Sequence, residues 1–240
     1  MSSSPLLARL AAEPTRGALL LDVDGTLAPI VDVPADAAVP EETRIELRRL
    51  HGRYGLVACV SGRPSADAER IVGVPELVYV GEHGLELSPD APAWRERLHR
   101  FAATVDWNDV ELKPLTVSFH YRRAPDEDDA RRTLDAVATR ARAESLVARF
   151  GRKVLELRPP LDAHKGTAVR HLLRQHGLTR ALYAGDDTTD LDAFAALDGL
   201  ELAVRVAVVT KESPPALRGA ADVVVGSPAE VLELLRSLEP

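Results

Sequence analysis

Lysine is scarce in this 240-residue chain. Only Lys113, Lys153, Lys165 and Lys211 occur among 30 basic residues, so arginine supplies the other twenty-six. The 37 Asp and Glu outnumber the bases and leave a formal charge of −7. Such a chain lacks the basic face that extended polyanions require, which argues against nucleic acid or an anionic membrane surface as partner. Aromatic residues are only 4% of the chain, too few for a stacking platform for single-stranded nucleic acid. The single cysteine, Cys59, permits no internal disulfide, and its place in an apolar run reads as a buried, inert thiol. No apolar stretch approaches the roughly 20 residues that span a bilayer. The first residues, MSSSPLLARLAAEPTRG, lack a charged segment followed by a long apolar one. The expected location is therefore the cytoplasm.

What is present is ordinary for a globular protein: 45% hydrophobic and 28% charged residues, enough for a sizeable core. The length suits one large domain or a core with a small insertion. Short apolar runs alternate with helix-length segments, the pattern of a parallel sheet covered by helices. Residues 18–23 (ALLLDV) are nearly all apolar, as in a strand buried on both faces. Further strands are expected at 56–60, 77–80, 181–184, 202–209 and 223–225. Helices are expected at 41–53, 66–72, 165–176, 190–197 and 228–238, with Gly177 as a stop signal.

The middle of the chain has another rhythm. Residues 94–105 read as helix, and 110–113, 116–121 and 154–157 as strands. Within 116–121, Val117, Phe119 and Tyr121 alternate with Thr116, Ser118 and His120, the period of a half-buried strand. Residues 126–150 read as one long helix with an acidic start suited to the helix dipole. This section suits antiparallel strands with helices on one face. The parse is a Rossmann-like doubly wound α/β core at 1–86 and 161–240, interrupted by a smaller α+β cap domain at 87–160. Residues 88–160 carry a net charge of +2, against −9 for the rest.

Chemistry-bearing residues stand at the ends of these core strands. Asp22-Val23-Asp24-Gly25-Thr26 follows the first strand, where open α/β sheets bind ligands. Two carboxylates this close repel one another unless a cation or proton compensates. Mg²⁺, a hard ion that takes oxygen ligands and works with phosphates, is the natural partner. Ser61-Gly62-Arg63 follows the second strand and offers a hydroxyl and N–H groups to a phosphate oxygen. Lys165 opens a helix, either as a surface lysine or as a point charge at an anion site. Gly185-Asp186-Asp187-Thr188-Thr189-Asp190 forms a second acidic cluster, in which Asp190 is also a candidate N-cap.

The set DVDGT, SGR, Lys165 and GDDTTD resembles the four motifs of haloacid dehalogenase-type (HAD) phosphatases. The segments GEHG (81–84), VELKPLTVSFHYR (110–122), LELRP (155–159) and YAGDDTTDLDAF (183–194) resemble those of trehalose-6-phosphate phosphatases, and the resemblance runs nearly the whole length. It implies a HAD-like core, with Asp22 as nucleophile forming an aspartyl-phosphate and Asp24 as general acid and base. Mg²⁺ would be held by Asp22, Asp24 through its backbone carbonyl, and Asp186, with Asp187 and Asp190 behind them. Thr26, Ser61, Gly62 and Lys165 would bind the phosphoryl group. Glu111, Lys113 and Glu156 would hydrogen-bond the sugar, with Arg63, His83 and His120 as further candidates. In Leu112-Lys113-Pro114 the chain departs from the family pattern, which has a more polar residue and a Gly.

The implied reaction is Mg²⁺-dependent hydrolysis of trehalose 6-phosphate, with cap closure over the core. Sucrose phosphate and glucosylglycerol phosphate are alternative substrates. A phosphomutase, a non-catalytic sugar-phosphate sensor and a regulatory domain for a synthase are weaker readings. The expected partner is a small sugar phosphate, the expected state a monomer. Any trehalose-phosphate synthase that works with it would be a separate polypeptide.

Overall fold

The computed structural model describes residues 5–31, 33–151, 153–210 and 213–239. Lys211 lies outside the described residues. The chain divides into two compact units, Met1–Gly84 with Ala163–Pro240, and Leu85–Asp162.

In the first unit, α1 (Pro5–Ala11) leads into β1 (Gly17–Leu21), followed by α2 (Glu41–His51), β2 (Leu56–Val60), α3 (Ser65–Val72) and β3 (Val78–Val80). The second unit contains α4 (Ala91–Ala102), β4 (Val110–Leu112), β5 (Val117–His120), α5 (Glu127–Ala143), β6 (Val147–Gly151) and β7 (Val154–Arg158). The chain then returns to the first unit with α6 (Lys165–His176), β8 (Arg180–Gly185), α7 (Asp190–Ala195), β9 (Leu202–Val208), α8 (Pro215–Ala220), β10 (Val223–Val225) and α9 (Pro228–Arg236). None of the helices among the described residues is long and apolar enough to cross a membrane.

The first unit is built on a six-stranded parallel sheet of order β10-β9-β8-β1-β2-β3. All five residues of β1, and all of β2 and β8, are buried, which is why these runs carry no polar alternation. Leu19 and Leu21 pack with residues of α1, α2, α3 and α9 on one face. On the other, α6 meets β2 and α7 meets β8, where the rings of Tyr183 and Phe194 pack edge to face at 6.0 Å. Each fully buried Leu contributes about 1.5–3 kcal/mol relative to exposure. From β1 the chain crosses to β2 on one side, while β8 returns on the other. The strand order therefore reverses at β1/β8, and the C-terminal ends of strands at such a reversal are where open α/β sheets bind ligands.

The second unit is a four-stranded antiparallel sheet of order β4-β5-β7-β6. Phe119, Val117, Leu155 and Leu157 pack with Leu98 and Phe101 of α4 and Leu134 and Val137 of α5. The expected helix over 126–150 is corrected here. It ends at Ala143, Ser145 takes a left-handed φ of 65°, and β6 follows. Apolar residues at 146, 148 and 150 satisfy either period. Pairing with β7, which sets Phe150 against Leu155 and Arg149 against Glu156, decides for the strand. The short helices α1 and α8 also went unread in the sequence.

Candidate active site

Asp22 is the first residue beyond β1, tied to the neighbouring strand by its N–H, which donates to the Ala184 carbonyl at 2.9 Å. The chain then folds back on itself. The Gly25 N–H donates to the Ala28 carbonyl at 2.8 Å, and the Leu27 N–H to the Val23 carbonyl at 2.9 Å. Gly25 has φ 75°, and a Cβ there would stand 2.1 Å from Asp186 Oδ2. Glycine is thus required both for the turn and for the approach of the two acidic loops.

The centre of the site is an ion-pair network. Lys165 Nζ lies 2.8 Å from Asp22 Oδ1 and 2.7 Å from Asp190 Oδ1, and all three side chains are buried. Lys165 is the first residue of α6, whose start is tied by the His164 N–H donating to Thr167 Oγ1 at 3.0 Å. It is not a surface lysine. Asp190 accepts from Lys165 and from the Tyr183 hydroxyl (2.7 Å) on one oxygen. On the other it accepts from the N–H groups of Asp186 and Asp187, both at 2.9 Å. It opens α7, with Thr189 at the cap position, so its side chain orders the preceding loop and does not cap the helix.

Asp22, Asp186 and Asp190 have oxygens within 4.8 Å of one another. Three carboxylates then face one ammonium. Burial pushes the Asp22 carboxyl well above the usual range, Lys165 pulls it down, and Asp190 raises it again. Burial and Asp190 push Asp186 from the ordinary 3.8 up to about 6. Burial alone would lower Lys165, but Asp22 and Asp190 outweigh it and hold the ammonium protonated. This surplus of negative charge on hard oxygen atoms fits a divalent cation. Asp190 already accepts four hydrogen bonds, which leaves Asp22 and Asp186 as the better-placed oxygen donors.

The other expected residues of the first unit are spread around this centre. Thr26 is fully buried, and its hydroxyl has no hydrogen-bond partner among the described residues. Ser61 is buried at the end of β2, and its hydroxyl accepts from the Arg63 N–H at 3.1 Å. The Arg63 guanidinium grips both Asp24 oxygens, at 2.6 and 2.7 Å. The His83 N–H donates to the Ser61 carbonyl at 2.9 Å, and its ring lies where a Cβ on Gly62 would be 2.7 Å away. Glu82 and His83 both have left-handed φ values, 46° and 57°. Asp187 is exposed, and its Oδ1 accepts from the Thr188 N–H at 2.6 Å.

In the second unit, register brings the expected sugar-binding residues onto one face. Glu111 pairs with Ser118, Ser118 with Glu156, and Glu156 with Arg149, so the four form one row across the sheet. Glu111 is held at both oxygens, by Lys113 at 3.5 Å and His120 at 3.4 Å. The Glu156 carboxylate makes no side-chain hydrogen bond or ion pair among those seen between the described residues, while its backbone lies in the β5–β7–β6 ladder. Arg149, which sequence reasoning missed because its segment read as helix, is exposed in the same row.

The trehalose-phosphatase family model matches residues 20–107 and 93–223. The trehalose-phosphate phosphatase of Mycobacterium avium is 37% identical over 203 residues, covering 76% of this chain and 51% of that protein. A probable trehalose-phosphate phosphatase of Oryza sativa is 30% identical over 266 residues, covering 93% and 68%. The chain thus spans about half the length of its mycobacterial relative. In fold it is similar to the C-terminal domain of C. albicans trehalose-6-phosphate phosphatase, with TM-score 0.68, 24% identity and coverage of 98% and 95%. Aspergillus fumigatus trehalose-6-phosphate phosphatase gives TM-score 0.63 and 26% identity over 97% of this chain and 96% of that one. A haloacid dehalogenase-like hydrolase of Bacteroides thetaiotaomicron shares the fold at TM-score 0.62 and 16% identity, covering 92% and 99%. With buried acids gathered at the strand-order reversal and a family model matched along most of its length, the chain belongs to the trehalose-phosphatase family.

Proposed function

We propose that this chain hydrolyses trehalose 6-phosphate to trehalose and phosphate. The observation that carries the reading is the buried Asp22 carboxylate at the end of β1, gripped by Lys165 beside Asp186 and the unpartnered Thr26 hydroxyl. A carboxylate so placed suits nucleophilic attack, and an ammonium and hydroxyl beside it suit the charge of a phosphoryl group. An Asp22 oxygen attacks phosphorus while the bond from phosphorus to the sugar oxygen breaks, and Asp24 gives that oxygen its proton. Asp24 then takes a proton from water. The water oxygen attacks the phosphorus of the aspartyl-phosphate, and phosphate leaves as Asp22 is regenerated. Lys165, Ser61, the Gly62 backbone and Thr26 hold the phosphoryl oxygens. Arg63 must release Asp24 for either proton transfer, and a substrate oxygen can compete for its guanidinium.

Asp22, Asp186 and the Asp24 backbone carbonyl would hold Mg²⁺, with Asp190 and Asp187 in support. When bound, the ion neutralises charge on the carboxylates and on the transferring group. Glu111, Lys113 and Glu156 bind sugar hydroxyls, carboxylates accepting and the ammonium donating. His120, His83 and the added Arg149 are further candidates. The single buried cysteine supports a cytoplasmic location, and we take the working form to be a monomer paired in function with a trehalose-phosphate synthase.

Phosphate release should be measured on trehalose 6-phosphate, sucrose phosphate and glucosylglycerol phosphate, with and without Mg²⁺. The highest kcat/KM is expected for trehalose 6-phosphate with Mg²⁺, and no release from Asp22→Asn. Equal values across the panel would overturn the substrate assignment, and an active Asp22→Asn the mechanism.

A further inference from the structure

Beside the row of Glu111 and Glu156, the second unit contains a cavity of about 610 Å³ that shares only His120 with the sugar-binding candidates named above. Two loops wall it. One carries Asp106, Trp107, Asn108 and Asp109, and the other runs through Arg123 into the start of α5. His120, at the end of β5, joins them. The walls are tied together by their own hydrogen bonds. The Trp107 indole N–H donates to the His120 carbonyl at 2.8 Å, and the His120 N–H donates to the Asp109 carbonyl at 2.9 Å. Arg123 pairs with the Asp109 carboxylate at 3.1 Å. The cavity's size lies in the range of small-molecule sites.

The lining chemistry selects the ligand. The Trp107 N–H is already used and the indole packs in part against the core of the second unit, so only its open part offers an apolar surface to the cavity. Asp106, Asp109 and Asn108 accept hydrogen bonds from hydroxyls, and Asn108 and Arg123 donate to them. Two carboxylates against one guanidinium disfavour an anion. A ring whose C–H face lies on an aromatic while its rim of hydroxyls meets planar polar groups satisfies all of this, and a pyranose is such a ring. The cavity also adjoins the polar face, because His120, in its wall, lies 3.4 Å from Glu111.

We infer that this cavity is a saccharide subsite that takes a neutral pyranose ring, distinct from the phosphoryl centre and from the Glu111–Glu156 row. The inference stands on the second unit alone and does not require the phosphatase reading. With trehalose as product, the subsite gives the chain a second hold on the released sugar.

The chain has two tryptophans, so Trp94→Phe leaves Trp107 as the only indole. Its fluorescence should respond saturably to glucose and to trehalose, and not to inorganic phosphate or choline. Asn108→Ala and Asp109→Asn should each weaken that response about tenfold, and Glu156→Ala should leave it in place. Calorimetry on the unmodified chain and on Asn108→Ala gives the same comparison should the tryptophan variant fail to fold. No saturable sugar binding in either measurement would overturn the subsite. So would a response to phosphate or choline as strong as that to sugar, or one lost in Glu156→Ala but kept in Asn108→Ala and Asp109→Asn. Binding is read without turnover, so phosphate release tests the phosphatase reading separately.

Discussion

Lys165 shows why few lysines can matter in an arginine-rich chain. Its ammonium fits between two buried carboxylates at 2.8 and 2.7 Å. A planar, longer guanidinium cannot take that place without moving one of them. Lys165→Arg is therefore expected to lower kcat for phosphate release by at least about a hundredfold, in the range of lost oxyanion donors. Lys153 is the internal comparison. It pairs with Glu127 at 2.6 Å, and both side chains are about half exposed. Lys153→Arg should leave kcat and KM within about twofold, because a surface pair is worth little. Phosphate release by the two variants checks both outcomes, and equal losses would place Lys165 outside the site.

At the level of elements, β4, β5, β7 and β6 convert sequence-distant residues into one row. Glu111→Ala should raise KM for trehalose 6-phosphate at least about tenfold, as loss of a charged hydrogen-bonding group does. It should leave turnover of a small phosphate ester, such as p-nitrophenyl phosphate, within about twofold. Similar losses on both substrates would remove Glu111 from sugar recognition. The helix behind this sheet has its own control. The Asp126 carboxylate accepts from the Asp129 N–H at 2.9 Å and caps α5. Asp126→Ala should cost about 0.5–2 kcal/mol of stability in urea unfolding without changing the substrate ratio.

For the whole molecule, the acidic centre ties stability to pH and to metal. The Asp186 carboxyl sits higher in the folded chain, near 6, than its ordinary 3.8. The folded chain therefore binds that proton more tightly. The corresponding stability is present below 3.8 and is lost as pH rises through about 6. A divalent ion offsets the repulsion that then appears, and it competes with the proton for the same oxygens. Excess Mg²⁺ should thus raise the melting temperature more at about pH 8 than at about pH 5. Asp186→Asn should remove most of that gain. Thermal scans of both proteins with and without Mg²⁺ decide this, and equal gains at the two pH values would count against metal binding at Asp186.

Much of the fold was legible in local pattern. Runs such as ALLLDV and LVACV read as buried strands because a strand covered on both faces has no polar alternation, and β2, α6 and β10 appear with the bounds expected of them. Gly177 marks the end of α6 in a left-handed conformation. The acids DVDGT and GDDTTD were visible as motifs at strand ends. Tertiary structure decided the rest. Only the placement of β8 beside β1 brings Asp186 and Asp190 to Asp22, and only the turn of Lys165 into the core makes it a buried partner for both acids. The grip of Arg63 on Asp24, the membership of Arg149 in the Glu156 row and the cavity at Trp107 also have no local signature. The physical reason is range. Burial and turn preferences act over a few residues and are written in the sequence as periods and stops. Register, ion pairing and cavities depend on which distant segments pack together, and there β6 overrode a helical period once β7 offered it a partner.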